Sequence, residues 1–171
     1  IGHQYAFLHD IPKQGDSIFT NALMKYFAPT DKQIGLHWHH FNQTIMPPII
    51  DLEHLTLEKI DNKIVVYLGF EKTEDVMQLL QPFTHYEFFI YSPSITQKST
   101  QGHLHIHPVD RDGFKHDLQS CNGVITNAGF ELASEAISLG KKILAKPLLG
   151  QMEQLSNAFA LEELDLGMTM P

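Results

Sequence analysis

Cysteine is nearly missing from this chain of 171 residues, because Cys121 is the only one. A single thiol excludes an intrachain disulfide and indicates a reducing compartment, so we expect a cytoplasmic protein. Long apolar runs are missing too, and no segment of the sequence could cross a bilayer as a helix. The first residues, IGHQYAF, do not resemble a signal peptide, and because they begin with Ile1 we expect a fragment or a processed chain.

Positive charge is scarce as well. The chain has 12 lysines and arginines against 20 aspartates and glutamates, which gives a formal net charge of −8. A nucleic-acid-binding surface needs a basic patch to neutralise phosphates, and we therefore expect no nucleic-acid partner. The remaining composition, with 43% hydrophobic and 19% charged residues, is ordinary for a globular domain with a core.

The chain divides into two parts of different character. Up to about residue 60, short apolar pieces alternate with breaks, and the pair Pro47 and Pro48 marks an extended connection. Proline fits neither a helix interior nor a central strand, which is why the pair interrupts regular structure. We expect residues 1–50 to be the tail of a preceding half plus a linker, and residues 51–171 to form the main domain.

Apolar runs and helical patterns alternate from residue 61 onward. Predicted strands cover residues 63–70, 86–92, 103–109, 123–129 and 142–148. Predicted helices cover residues 71–83, 130–140 and 152–167, the last two ended by Gly140 and Gly167, and residues 114–121 predict a helical turn or two. Such alternation predicts an α/β fold with a Rossmann-like parallel sheet flanked by helices. Ligands of such sheets bind outside the carboxyl ends of the strands.

The turn TNAGFE joins a predicted strand to a predicted helix. Gly129 lets a ligand approach the backbone closely, and the unpaired amides of the first helical turn favour a phosphate group. The alternative is that Gly129 only makes a tight turn. Glu131 and Glu135 follow, four residues apart on one helix face. A carboxylate there could accept two hydrogen bonds from a ribose diol, whereas the alternative is an ordinary solvated helix face.

The segment GQMEQLSNA follows the last predicted strand. Gln151, Glu153, Gln154 and Asn157 offer amides and a carboxylate, groups that recognise sugar hydroxyls well. The alternative is an ordinary polar turn and helix start. Each of these three features is weak alone, and their order along the chain is a stronger signal.

The stretch ITNAGFELASEAISLGKKILAKPLLGQMEQLSNA resembles the donor-binding segment of GT-B glycosyltransferases. It is similar to the group that contains the UDP-glucuronosyltransferases and the N-acetylglucosaminyltransferase that forms lipid II, and most similar to a set of glycosyltransferase-like proteins from bacteria and archaea. The resemblance is specific over residues 120–158 and looser over residues 61–167. It implies that the chain is the C-terminal, donor-binding half of a GT-B fold.

The resemblance also implies roles for individual residues. The turn of Ala128, Gly129 and Phe130 would face the diphosphate, Glu135 would hold the ribose hydroxyls, and Glu153 and Gln154, with Gln151 nearby, would contact the sugar. The full set of expected donor-binding residues is Asn127, Ala128, Gly129, Phe130, Glu131, Glu135, Gln151, Glu153 and Gln154. Two departures leave the identity of the donor open: Asn127 stands where many UDP-sugar enzymes have a histidine, and Lys142 stands where a proline is usual.

The function implied by the resemblance is transfer of a hexosyl group from a nucleotide-sugar, by default a UDP-sugar, to an acceptor hydroxyl. The catalytic base and acceptor site of GT-B enzymes usually belong to the other half, so we assign no catalytic residue and expect this chain alone to be inactive. A non-catalytic binding or regulatory module and a sugar-nucleotide epimerase are the alternatives. The acceptor is not identified, and we consider an acceptor at a membrane surface, reached through the missing half, and a homodimer of the fragment through exposed apolar surface.

The chain contains 11 histidines, which raises the question of a metal site. His103, His105 and His107 alternate along a predicted strand and therefore point the same way. Their spacing of roughly 6–7 Å is wide for one ion, and no acidic or cysteine partner stands at a recognisable distance in sequence. We expect no metal and no cofactor, with the leaving diphosphate stabilised by helix amides.

Overall fold

The structure, a computed structural model, describes residues 1–15, 32–51 and 58–170. A 3-10 helix covers His3–Leu8. The strands are β1 (Gly35–Leu36), β2 (Ile45–Met46), β3 (Lys63–Tyr67), β4 (Glu87–Ser92), β5 (Ser99–Gln101), β6 (Leu104–Pro108), β7 (Gly123–Asn127), β8 (Lys142–Lys146) and β9 (Met168–Thr169). The helices are α1 (Thr73–Leu80), α2 (Arg111–Ser120), α3 (Phe130–Ser138) and α4 (Met152–Glu163).

The main sheet contains seven strands in the order β5-β6-β4-β3-β7-β8-β9. All neighbouring strands are parallel except β5, which runs antiparallel to β6. Along the chain, the strands first build outward from β3 to β4 and β6, and then build in the other direction from β7 to β9. The order therefore reverses between β3 and β7, and in open α/β sheets the ligand crevice lies at the carboxyl ends of the two strands beside this reversal.

The two faces of the sheet are covered unequally. Helices α2, α3 and α4 pack on one face, where Leu118, Ala133 and Leu161 join the buried core around Val65. Helix α1 packs on the other face, where Val76 and other side chains form a second core with strands β3, β4 and β6. These faces follow from the direction of travel along the sheet, because right-handed crossovers place helices on opposite faces when that direction reverses.

The helix ends show one correct and one wrong prediction. Gly140 adopts a left-handed conformation with φ of 63° just after α3, and the predicted glycine stop is confirmed. Helix α4 was expected to end at Gly167, but it ends at Glu163 and Asp165 takes the left-handed position with φ of 54°. Packing explains the glycine at position 167, because a Cβ atom on Gly167 would lie 3.1 Å from the Cβ atom of Ile143.

Two further differences concern short elements. Helix α2 is longer than the predicted turn or two, because the Asp110 side chain accepts a hydrogen bond from the Gly113 amide and starts the helix early. Strands β5 and β9 were not predicted. Every residue of β5 is exposed, so its sequence shows no alternation of apolar and polar side chains.

The N-terminal part of the chain, described over residues 1–15 and 32–50, packs directly on the domain that follows it. Ala6, Phe7 and Ile11 form a small core with Met152 of α4. Strands β1 and β2 pair in parallel, and the two prolines at positions 47 and 48 lie outside helices and strands, as the sequence predicts. Within the described part of the chain, no helix is long and apolar enough to cross a membrane.

Candidate functional site

The carboxyl edge of the sheet borders a cavity of about 760 Å³. Tyr67, which ends β3, lies on its wall, together with the N-terminal residues of α2 and α3. The opposite side is formed by residues 1–4 and 48–51. The cavity therefore lies beside the reversal of strand order, where the topology predicts a ligand, and residues of the N-terminal part of the chain line it as well.

The two glutamates of α3 both line this cavity, as their spacing predicts. Glu135 is partly buried and Glu131 is exposed. Burial raises the pKa of the Glu135 carboxyl and Glu131 adds to this, whereas the positive charges of Lys115 and Arg111 oppose the increase. Both cations stand on α2 and line the same cavity, so Glu135 faces positive charge across it.

The turn before α3 gives no structural reason for its glycine. Gly129 has ordinary extended backbone angles, with φ of −73° and ψ of 147°, that any residue can adopt. A Cβ atom built on it would meet no atom within 4 Å. Neither backbone conformation nor packing among the described residues requires a glycine at this position. Open space in front of the first helical turn is what a ligand approaching the backbone needs.

The residues beside Gly129 are held firmly. Ala128 is fully buried, and the Asn127 side-chain amide donates to the Lys146 carbonyl oxygen at 3.1 Å. Asn127 therefore joins the ends of β7 and β8.

An aromatic stack covers the start of α3. The Phe130 ring lies parallel to the ring of His3, with centroids 3.7 Å apart, and the Trp38 ring lies 5.3 Å away. The indole Nε1–H of Trp38 donates to the Ser134 hydroxyl at 2.8 Å. Residues from the N-terminal part thus fix the first turn of the helix that follows Gly129.

A buried hydrogen-bond chain connects the same two parts. The Nδ1 atom of His3 lies 2.8 Å from the Leu36 carbonyl oxygen and its Nε2 atom lies 2.7 Å from the Oδ1 atom of Asn157. The Asn157 amide donates in turn to the Ala128 carbonyl at 2.9 Å. Burial lowers the pKa of His3, although its two oxygen partners favour the protonated ring. Asn157 is fully buried, so it is not the surface position that a polar turn would leave.

The residues expected to contact the sugar do not line this cavity. Gln151 and Glu153 are exposed at the start of α4, and Gln154 is buried, with its Oε1 atom accepting from the Leu148 amide at 3.0 Å. None of the described residues lining the 760 Å³ cavity comes from α4. The structure therefore brings Phe130, Glu131 and Glu135 together on the cavity and places the α4 group after the neighbouring strand β8.

The family assignment rests on a match over most of the chain. The model of glycosyl transferase family 1 matches residues 11–171. The chain belongs to glycosyl transferase family 1. No curated protein sequence matches it.

Solved glycosyltransferases share the fold of this family member. SnogD from Streptomyces nogalater matches with a TM-score of 0.54 and 14% identity, over 92% of this chain and 43% of that one. The spinosyn forosaminyltransferase SpnP matches with a TM-score of 0.52 and 14% identity, over 89% and 47%. The glycotransferase of kitacinnamycin matches with a TM-score of 0.54 and 13% identity, over 73% and 35%. The α/β GT-B fold expected from the sequence is confirmed, and the chain spans less than half the length of each of these proteins.

Several residues of this family 1 chain stand at the site without having been predicted. His3 and Trp38 lie far from α3 in the sequence, and no local pattern connects them to it. Arg111 and Lys115 stand at the start of a helix that was predicted too short. The expected relation to the lipid II-forming enzyme and the roles of the nine donor-binding residues stay predictions.

Two of the three alternating histidines, His103 and His105, have hydrogen-bond partners within the protein. His105 pairs with Glu87 at 2.8 Å, and the Nε2 atom of His103 lies 3.3 Å from the Leu80 carbonyl oxygen. Glu87 stands 18 residues before its partner, which is why no acidic neighbour was visible in the sequence. In the described ranges, no group of three or more histidine, cysteine, aspartate or glutamate side chains is placed to hold a metal ion.

Proposed function

We propose that this chain binds the nucleotide-sugar donor of a glycosyltransferase, by default a UDP-sugar, for transfer of a hexosyl group to an acceptor hydroxyl. The observation that carries the proposal is the open space over Gly129, next to a cavity lined by Glu135. Family membership supports glycosyl transfer, and the position of the site at the reversal of strand order supports a nucleotide.

The diphosphate would lie at the N-terminus of α3. The first amides of a helix have no intrahelical partner and carry partial positive charge, so they stabilise an anion. Gly129 exposes these amides because it has no side chain, and Ala128 and Phe130 on either side are buried and fixed. A rigid turn of this kind supports the diphosphate without rearranging when the charge on it grows.

The ribose would lie against Glu135, one turn further along α3. An ionised carboxylate accepts hydrogen bonds from two adjacent hydroxyls. Burial raises the pKa of Glu135, and the neighbouring charges of Lys115 and Arg111 oppose that increase. The base would then occupy the cavity beyond Glu135. Glu131 stands at the mouth of the same cavity, where its exposure lets it contact the donor from outside.

The sugar would extend in the other direction, toward the start of α4. Gln151 and Glu153 are exposed there, and the NH₂ group of Gln154 can donate because its Oε1 atom already accepts the Leu148 amide. Asn127 joins the two strand ends between these groups and the diphosphate. The exposed members of the nine expected residues would therefore follow one path from the base to the sugar, whereas Ala128 is fully buried and supports the turn from within.

In the proposed reaction, the acceptor oxygen forms a bond to the anomeric carbon while the bond from that carbon to the diphosphate oxygen breaks. The electron pair of the broken bond leaves with the diphosphate, and a base outside the described residues takes the hydroxyl proton. The part played by this chain is to bind and orient the donor and to stabilise the leaving group. We assign its acceptor site to the remainder of a longer protein.

An amide-shift titration with UDP, GDP and several UDP-sugars tests the proposal. Gly129→Ala should fold normally, because the added methyl group meets no protein atom, yet it should weaken nucleotide binding roughly tenfold or more by occupying the ligand's space. Glu135→Gln should weaken nucleoside binding, whereas the exposed Glu163 of α4 provides a matched control as Glu163→Gln. Saturable shifts around Gly129 and Glu135 with one nucleotide, reduced in both site variants, are the expected result.

The same titration on the full-length protein is the experiment that can refute the proposal. Absence of binding by any nucleotide at millimolar concentration in the full-length protein would overturn the proposal. Binding without turnover of a broad panel of nucleotide-sugars would instead favour the alternative of a binding or regulatory module.

A further inference from the structure

The donor site as predicted from the sequence contains little positive charge. Its nine expected residues include three glutamates and no lysine or arginine. A nucleoside diphosphate carries at least two negative charges, and helix amides provide only partial positive charge. A cation at the carboxyl edge of the sheet, close to the end of β7, would therefore complete the site.

Lys146 is such a cation. It is the last residue of β8 and pairs in register with Asn127, the last residue of β7. The Asn127 side chain also donates to its carbonyl oxygen. Lys146 therefore stands beside the strand that leads directly into the turn of Gly129.

The side chain of Lys146 reaches across the reversal of strand order. Its Nζ atom forms an ion pair with Glu71, which follows β3. Strands β3, β7 and β8 are consecutive neighbours in the sheet, so the pair extends from β8 past the end of β7 to the loop after β3. This is the position where an open α/β sheet receives its ligand.

We propose that Lys146 binds the diphosphate of the donor, and that Glu71 holds the ammonium group at the crevice when no donor is bound. The inference rests on the proposed function and assigns a residue to it that the sequence did not. The side chains of Lys146 and Glu71 are 32% and 28% exposed, so water weakens their attraction and separation costs little. A diphosphate offers more negative charge and several acceptor oxygens, which makes it the stronger partner.

Two alternatives compete with the assignment of the diphosphate to Lys146. Arg111 and Lys115 line the cavity at Glu135, and they could carry the diphosphate instead. The ion pair of Lys146 could also be only a brace between two loops. The three arrangements differ in what the loss of the ammonium does to diphosphate binding compared with nucleoside binding.

These three arrangements can be distinguished by binding measurements on the full-length protein. The ligands are a nucleoside, its diphosphate and inorganic pyrophosphate. Lys146→Met should weaken binding of the diphosphate and of pyrophosphate roughly tenfold to hundredfold, as the loss of a charge-assisted hydrogen bond predicts, and should change nucleoside binding less than about twofold. Lys146→Arg should restore most of the affinity. Glu71→Gln should strengthen diphosphate binding, because it removes the competing carboxylate. Lys142→Met, which removes an exposed lysine at the other end of the same strand, is the matched control.

The outcomes distinguish this inference from the proposed function. Equal weakening of nucleoside and diphosphate binding in Lys146→Met would show a brace, and unchanged affinities would place the diphosphate on other cations. Either result overturns the inference and leaves the proposed function standing. If the unaltered protein binds no nucleotide but binds pyrophosphate through Lys146, the proposed function fails and the anion site stands. If it binds neither probe, both are wrong.

Discussion

Replacing Asn157 with alanine should destabilise the fold by about 2–6 kcal/mol. The side chain is fully buried and joins two groups, the Nε2 atom of His3 and the carbonyl oxygen of Ala128. Each buried polar group left without a partner costs about 1–3 kcal/mol, and the two costs add here because both partners lie in the interior. This is a large part of a typical stability of about 5–15 kcal/mol.

Urea denaturation measures the effect. With a slope of about 2 kcal/mol per molar, the midpoint of Asn157→Ala should fall by about 1–3 M. His3→Phe provides the matched comparison, because a phenyl ring can still stack on Phe130 while both ring nitrogens are lost. A double-mutant cycle of the two substitutions should give a coupling energy of about 0.5–3 kcal/mol, as expected for residues in one network.

Amide hydrogen exchange then shows whether this network fixes the turn at Gly129. In Asn157→Ala, exchange at Gly129 and Phe130 should accelerate more than the loss of global stability explains, because Ala128 loses its connection to α4. A midpoint shift below about 0.5 M, or a coupling energy near zero, would refute the reasoning. Uniform acceleration over the whole sheet would refute the local role of the network.

Three further predictions test other parts of the structure. Burial lowers the pKa of His37 to about 4 from its ordinary 6.5. As the pH falls, the unfolded chain therefore binds a proton that the folded chain does not, and this residue should lower the free energy of unfolding by about 3 kcal/mol between pH 7 and pH 4. Urea denaturation at the two pH values measures the loss, which should be smaller in His37→Phe. Gly35→Ala should cost about 1–3 kcal/mol in thermal unfolding, because its Cβ atom would lie 2.7 Å from the backbone of Ala6. Asp117→Ala should cost about 3–5 kcal/mol in urea denaturation, because it removes the ion-pair partner of Lys63, which is 4% exposed, and leaves the ammonium with the Ser120 hydroxyl as an acceptor. The double variant with Lys63→Met should recover part of the loss.

The sequence predicts the regular part of the fold well. The strand residues of β3, β4, β7 and β8 form apolar runs, and burial on both faces of a parallel sheet requires such runs. The end of α3 is equally visible, because Gly140 takes a left-handed conformation that other residues rarely adopt. These features depend on residues that are close together in the sequence, and such local determinants can be recognised in a single sequence.

The parts that could not be predicted depend on long-range contacts. His3 meets Asn157 across 154 positions of sequence, and Lys146 meets Glu71 across 75. Strand β5 exists only because it pairs with β6, since its own residues are all exposed. Glutamates such as Glu135 were visible, but the cations that face it on α2 were not, because the helix begins at a side-chain cap and not at an apolar pattern.

Three glycines differ in whether the protein's own structure requires them. Gly35 is needed because the backbone of Ala6 leaves no room for a Cβ atom, and Gly140 is needed because its φ is 63°. Gly129 has neither reason, since its φ is −73° and the space beside it is open. A helix N-cap gains little from glycine over serine, threonine or asparagine, which can also bond the free amides. Neither backbone conformation nor packing among the described residues accounts for this glycine, and the diphosphate of the proposed donor would account for it.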